Sequence, residues 1–292
     1  MTNRFDHLVI AARDLAAASK AYGEGLGFDV RPGGRHTGRG TENAIIRFGL
    51  DYLELIAIYD EGEATRAGRD SLAQLLRRHA GGLAAFALAT TDIDADADRL
   101  RAAGLEARGP FAMQRQRPDG TSLTWRLLVP GGDQYRKPWP FLIQWDQPDE
   151  ERLAREAPGT HPNGARTVAE VAVVVADLER AVNLYERQLG LPLVDRDPAP
   201  ELAAAGARFA AGPSQVRLLA PTGPGPVEEA FAALGEGPFQ AVLAVEQLEA
   251  SRRELTRRGT SVGPAPGIPG GLLIDLGPAL GARLVLAPST GP

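Results

Sequence analysis

The sequence predicts an α+β protein of four βαβββ units arranged as two similar halves, and three observations lead there. Residues 6–28, DHLVIAARDLAAASKAYGEGLGF, align without a gap on residues 169–191, AEVAVVVADLERAVNLYERQLGL, so that Asp14-Leu15 falls on Asp177-Leu178, Tyr22 on Tyr185 and Leu26-Gly27 on Leu189-Gly190. Two fainter copies follow them, one from Gly81 and one from Gly237, whose helices end alike at Gly104 and Gly259. In the two clear copies a short aliphatic strand leads to an Asp that can cap a helix and then to an amphipathic helix closing at Gly, the residue that best tolerates the left-handed C-cap.

The elements follow in order. After the first strand and helix, further strands are predicted at residues 43–48 and 52–58, which completes strand, helix and three strands in one unit. The unit order is A, B, A′, B′, so each half is a pair of units. A single unit leaves one apolar sheet face uncovered, which gives the duplication a physical reason. Residues 146–166, DQPDEERLAREAPGTHPNGAR, are polar and lack aliphatic periodicity. They place an N-terminal domain at 1–146, a linker at 147–166 and a more degenerate C-terminal domain at 167–292, with a shorter hinge near Gly223 to Pro226.

Composition narrows the function. The chain has 292 residues, 43% hydrophobic and 24% charged, a globular balance with a net charge of -5. That charge argues against a nucleic-acid or anionic-membrane partner, because phosphate binding needs clustered Lys and Arg. No cysteine is present, which removes disulfides, thiolate metal ligands and a Cys nucleophile. The N-terminal apolar stretch is broken at Arg13-Asp14 and no apolar run reaches the roughly 18 residues of a membrane span, so a cytoplasmic location is expected. No G-x-S-x-G elbow, P-loop or dinucleotide fingerprint occurs, since Gly33-Gly34 precedes a strand rather than a helix. The expected partner is a small molecule, and a homodimer is compatible with the repeat.

Several side chains carry chemistry. Glu54 stands in Tyr52-Leu53-Glu54-Leu55-Ile56, where a buried carboxylate needs a counter-charge, a hydrogen-bond donor or a metal. An ion pair with one of the many arginines is the ordinary use of such a residue. His7 lies in an equally apolar strand, where a lone histidine is usually a satisfied core residue. Imidazole nitrogen and carboxylate oxygen are donors that suit Zn²⁺, Mn²⁺, Ni²⁺ or Fe²⁺ wherever a fold brings them together. His36, in the glycine-rich stretch Pro32 to Thr41, is read as a loop residue serving as third ligand, general acid or base, or plain surface residue. Asn43 either hydrogen-bonds a substrate carbonyl or closes a turn. Gln144 offers a neutral oxygen to a metal or substrate, with strand pairing as its other use. Arg126 matches an anionic substrate, or else forms a surface ion pair. Trp125, Trp139 and Trp145 are candidate cavity walls. His79 and His161 receive no role.

The tandem units, each opened by a strand, an Asp-Leu and a helix ending in Leu-Gly, resemble the vicinal-oxygen-chelate superfamily. Four stretches bring the chain closest to its glyoxalase-like branch: Asp6-His7-Leu8-Val9; Gly34-Arg35-His36 with Gly40-Thr41-Glu42-Asn43; Tyr52-Leu53-Glu54-Leu55; and Pro140-Phe141-Leu142-Ile143-Gln144-Trp145. The resemblance implies a divalent metal held by side chains from the first and last strands of the units, seats occupied here by His7 and Glu54. In unit B the same seats hold Ala85 and Gln144, so the four-ligand glyoxalase pattern is incomplete and the dioxygenase pattern, which needs a second His, is missing. The C-terminal seats hold Glu170, Arg217, Gln240 and Leu284, and arginine is a poor ligand, so a metal-free half with a Glu170–Arg217 ion pair is expected.

The expected activity is therefore a divalent-metal-dependent isomerase or lyase of glyoxalase type. It would act on a small hydroxycarbonyl or carboxylate substrate through His7, Glu54 and His36, with Asn43, Trp125, Arg126 and Gln144 around the substrate. A metal-free protein that binds or sequesters a small molecule is the alternative.

Overall fold

The computed structural model describes residues 4–116, 120–274, 276 and 281–289. The first half contains β1 (Arg4–Ala12), α1 (Leu15–Lys20), β2 (Arg31–His36), β3 (Thr41–Arg47), β4 (Tyr52–Ile58), α2 (Glu61–Arg66), α3 (Asp70–Arg78), β5 (Gly81–Ala89), α4 (Ile93–Ala102), β6 (Ala107–Gln116), β7 (Ser122–Pro130) and β8 (Phe141–Trp145). After α5 (Asp149–Arg155) the second half repeats the scheme with β9 (Ala165–Val174), α6 (Leu178–Asn183), β10 (Leu193–Ala199), β11 (Ala204–Ala211), β12 (Ser214–Pro221), α7 (Pro226–Leu234), β13 (Gly237–Val245), α8 (Leu248–Arg257), β14 (Val262–Pro264), β15 (Leu272–Ile274) and β16 (Leu284–Pro288).

Each half forms one eight-stranded sheet, ordered β2-β3-β4-β1-β5-β8-β7-β6 in the first and β10-β11-β12-β9-β13-β16-β15-β14 in the second. Two four-stranded units join edge to edge through their first strands, β1 antiparallel to β5 and β9 antiparallel to β13. Local chemistry sets the helix starts, as the sequence predicts: Asp14, Asp92 and Asp177 each accept a hydrogen bond from the backbone N–H three residues on. The α1 and α6 helices end in a wider π-type turn at Ala21–Gly25 and Leu184–Gln188, which buries Tyr22 and Tyr185 completely.

Strand alternation divides the apolar residues into two sets. Leu8, Ile10, Leu53 and Leu55 face the helices, where they join Val171, Val173, Phe209 and Leu218 of the second half in one continuous core. Val9, Ala11, Ile56 and Trp125 line the opposite face of the first sheet. The halves are also tied by Tyr185 donating to the Pro138 carbonyl (2.8 Å) and Arg136 donating to the Pro238 carbonyl (2.5 Å).

Two local readings change. The glycine-rich stretch expected as a loop folds as β2 up to His36, paired with β3, and leaves only a tight turn before Thr41. Backbone pairing with β3 supplies what the sequence periodicity lacked. The polar stretch 147–166 is not a loose tether: α5 seats Arg152 under the Trp145 ring (3.9 Å), and Arg152, Glu156, His161 and Asn163 are buried. No described helix is long and apolar enough to cross a membrane.

His161 is a working part of this packing. Its ring lies edge-on to Phe28 and Phe48, its Nδ1 accepts from the Asp29 N–H (3.0 Å) and its Nε2 donates to the Arg47 carbonyl (3.0 Å). Burial lowers its pKa below the ordinary 6.5. The unfolded chain therefore binds the proton first, so the stability His161 contributes is full above pH 6.5 and is lost as pH falls below it. In denaturant titrations at stepped pH, His161→Phe is expected to flatten this decline relative to wild type; identical slopes would remove His161 from the account.

Candidate active site on the first sheet

The pocket begins with an irregularity in β1. The β1–β5 pairing shifts register between Phe5 and His7, so Asp6 is an extra residue in the ladder. Phe5 and Leu8 consequently share the helix-covered face, while Asp6 and His7 both turn to the other. Asp6 is fully buried, and its Oδ1 accepts from His7 Nδ1 at 2.7 Å. Its Oδ2 accepts from Trp145 Nε1 (3.0 Å) and Arg4 Nη1 (3.3 Å) and lies 3.7 Å from Arg152. Burial by itself raises the Asp6 pKa, but the His7 hydrogen bond and the Arg152, His7 and Arg4 charges outweigh it and hold the carboxyl well below its usual range. His7 is thus fixed with Nδ1 committed and Nε2 facing the cavity.

Strand pairing supplies the neighbours. Parallel β4 sets Tyr52 beside His7 and Glu54 beside Val9. The Tyr52 ring stacks on the imidazole at 4.5 Å and Phe141 meets its edge at 5.3 Å. Glu54 Oε2 lies 3.7 Å from His7 Nε2, and Glu54 Oε1 lies 3.6 Å from His36 Nε2. Asn43 comes from the facing strand and donates through Nδ2 to Glu54 Oε1 at 2.5 Å, with His36 Nε2 at 3.3 Å. Gly33 makes room for this carboxamide: a Cβ there would fall 2.0 Å from Asn43 Oδ1.

His36 Nδ1 bonds Thr41 Oγ1 at 2.9 Å. Burial is the main reason that its pKa falls to about 4; the Glu54 charge opposes the shift, and those of Arg69, Arg115 and His7 reinforce it. The ring is therefore neutral at pH 7, and with Nδ1 given to Thr41 its Nε2 is the unprotonated nitrogen, in contact with Asn43 Nδ2.

Trp125 and Trp145 close one wall, in contact at 5.2 Å. Trp139 does not line this cavity and donates instead to the Pro130 carbonyl (2.9 Å). Arg126 and Gln144, one residue out of phase with the two tryptophans, face the other side of the sheet. There Gln144 Nε2 donates to the Thr91 carbonyl (2.9 Å) and its Oε1 accepts from the Ile93 N–H (3.2 Å), which anchors the start of α4. Arg126 pairs with Asp94 at 2.8 Å and donates to Gln144 at 2.8 Å. Of the sequence candidates, the pocket gathers His7, His36, Asn43, Glu54 and Trp125 and leaves Arg126 and Gln144 outside.

The site also uses groups that the sequence did not announce, Asp6 buried behind His7 and two arginines on the pocket wall. Asp6 was hidden by the bulge. Arg115 reaches in from β6 and pairs with Glu156 at 3.2 Å. Arg69, at the start of α3, is 8% exposed and donates to Gln134 and to the Tyr135 hydroxyl (2.9 Å). Among the described residues, no carboxylate lies within ion-pair distance of it.

The equivalent place in the second half holds a charged cluster. Glu170 takes the seat of His7 and Arg217 that of Glu54, as the β9–β12 register requires. They approach to 4.0 Å, while Arg217 pairs more closely with Asp197, which also meets Arg208 at 2.8 Å. Gln240 accepts from Arg283 at 2.8 Å, and Leu284 is buried.

Residues 5–189 match the glyoxalase-like domain family, and residues 167–271 match the glyoxalase/bleomycin resistance protein/dioxygenase superfamily. No curated protein sequence matches the chain. Among solved structures, a hypothetical protein from Staphylococcus aureus is 17% identical over 98% of this chain and 99% of its own, with a TM-score of 0.68. A mutant of 4-hydroxymandelate synthase from Streptomyces coelicolor is also 17% identical, over 98% and 92%, at 0.68. BphC, a halotolerant catechol dioxygenase, is 12% identical over 98% and 87%, at 0.57. At these identities the structures share the fold alone, whereas the first family match spans well over half of the chain. With its repeated βαβββ units paired into two eight-stranded sheets, the chain belongs to the glyoxalase-like domain family of the vicinal-oxygen-chelate superfamily.

Proposed function

We propose that the pocket is the active site of an enzyme of isomerase or lyase type, which moves a proton on a small, oxygen-rich substrate with the help of a divalent metal. The observation that carries this reading is the line Asp6–His7–Glu54, in which a buried carboxylate holds an imidazole whose free nitrogen faces a second carboxylate. Ligating histidines usually give their other N–H to such a carboxylate, which raises ligand basicity and fixes the ring. The 3.7 Å between His7 Nε2 and Glu54 Oε2 suits two ligands of one ion, each bonded at ~2.0–2.2 Å. Among the described residues no three His, Asp or Glu side chains form a complete metal cluster, so His7 and Glu54 would hold the ion with water or substrate filling the rest.

When bound, such an ion supplies Lewis acidity toward a carbonyl oxygen. The remaining work falls to the side chains. His36, neutral at pH 7, takes a proton from the substrate carbon through Nε2 and returns it, while Thr41 holds the ring through Nδ1. Asn43 keeps His36 and Glu54 in register by contacting both. Trp125, Trp145 and Phe141 exclude water from the reacting carbon. Ala85, which stands where ring-cleaving relatives need a second histidine, favours proton transfer over oxygenation.

The test is solvent hydrogen exchange. Metal-loaded protein in D₂O is expected to exchange or isomerise at least one member of a panel of α-hydroxyaldehydes and 2-hydroxy or 2-oxo acids, followed by NMR. His36→Gln should slow it by ~10²-fold or more with metal content unchanged. Exchange at the wild-type rate in that variant would contradict the role of His36. No exchange across the panel would favour a protein that only binds its ligand.

A further inference from the structure

The cavity has a second arm. Arg69, Gln134, Tyr135 and Met113 line both the space beside His7 and Glu54 and an adjoining cavity of about 130 Å³, into which Arg39 also projects. Arg39 stands in the turn between β2 and β3, with its guanidinium on Met113 Sδ (3.3 Å). Three guanidiniums thus face one small cavity: Arg108 is paired with Glu106 (2.7 Å), whereas among the described residues neither Arg39 nor Arg69 has a carboxylate within ion-pair distance. Arg69 is the more exposed to this cost: its side chain is buried, only Nη1 has protein acceptors, and its Nε has none. A buried cation without a counter-charge is expensive. Asp133, the acid on the wall of this arm, is already engaged by Ser71 (2.7 Å) and the Tyr135 N–H (3.2 Å), with Lys137 at 3.9 Å. The Tyr135 hydroxyl, whose pKa burial pushes up to about 12, stays protonated and has its hydrogen to give.

We propose that Arg69 and Arg39 form an oxyanion subsite that receives a carboxylate or phosphate group of the substrate, apart from the carbon that reacts at His36. Guanidinium forks match both groups in geometry and charge. On the reading given above for the reacting end, the substrate is then a small acid that carries a hydroxycarbonyl unit at one end and an anionic group at the other. The proposal rests on that reading only for the reacting end, since anion capture does not require the metal.

Isothermal titration of the full-length, metal-loaded protein with succinate and with inorganic phosphate, at ionic strength held constant with sodium chloride, tests it. At least one of the two should bind, and the tighter one tells carboxylate from phosphate. Arg69→Gln and Arg39→Gln should each weaken binding ~10-fold or more while metal content stays at the wild-type level. Arg39 is partly exposed in a turn, so Arg39→Gln decides the matter if Arg69→Gln fails to fold. Binding that persists in Glu54→Gln separates the subsite from the metal reading. Wild-type protein that binds neither anion, or a folded Arg39→Gln variant that binds as wild type does, would overturn the proposal.

Discussion

Asp6→Asn is expected to destabilise the protein by about 3 kcal/mol, because it leaves the Arg152 guanidinium buried beside a neutral group. Among the described residues the three Arg152 nitrogens have no hydrogen-bond partner, and the one other carboxylate within ion-pair distance, that of Asp149, is half exposed at 3.6 Å. Urea unfolding of wild type and variant measures the loss. The double variant Asp6→Asn/Arg152→Met should recover part of it, since removing both members of a buried pair costs less than removing one. In the same variant His7 loses the charged acceptor that fixes its ring, so metal affinity should fall by ~10- to 100-fold. Unchanged stability in Asp6→Asn would mean that Asp6 is not the ionised centre of this network.

Glu54→Gln should abolish turnover, with a loss on the order of 10³-fold or more, because it removes the one carboxylate that both histidines of the pocket face. The change is nearly isosteric, and the amide oxygen can still accept from Asn43, so folding should survive. Circular dichroism and the unfolding midpoint check this, and steady-state rates on whichever substrate the exchange panel identifies check the activity. A variant that folds and turns over within tenfold of wild type would take Glu54 out of the chemistry.

The repeat was legible because its signals are local. Helix caps at Asp14, Asp92 and Asp177 and the closing glycines lie within a few residues of what they control. The meeting of His7 with Glu54 came instead from the family resemblance, since 47 positions of chain separate them and only the parallel register of β1 with β4 joins them. Asp6 escaped notice because strand alternation sends neighbours to opposite faces, and one bulge reverses that. Alternation does bear on Arg126 and Gln144: if Trp125 and Trp145 line a cavity, residues one position away on the same paired strands face elsewhere. Arg69 carried no local mark. It enters the pocket through the corner between α2 and α3, a tertiary arrangement that periodicity does not encode.

Metal content reports most directly whether His7 and Glu54 hold a divalent ion. Protein prepared without a metal-affinity tag, offered Zn²⁺, Mn²⁺, Ni²⁺ or anaerobic Fe²⁺ and then desalted, would be analysed by elemental mass spectrometry alongside His7→Ala and Glu54→Gln. Near-stoichiometric metal is expected in the wild type and little in either variant. Equal metal in all three proteins, or none retained by the wild type with any of the four ions, would contradict this expectation.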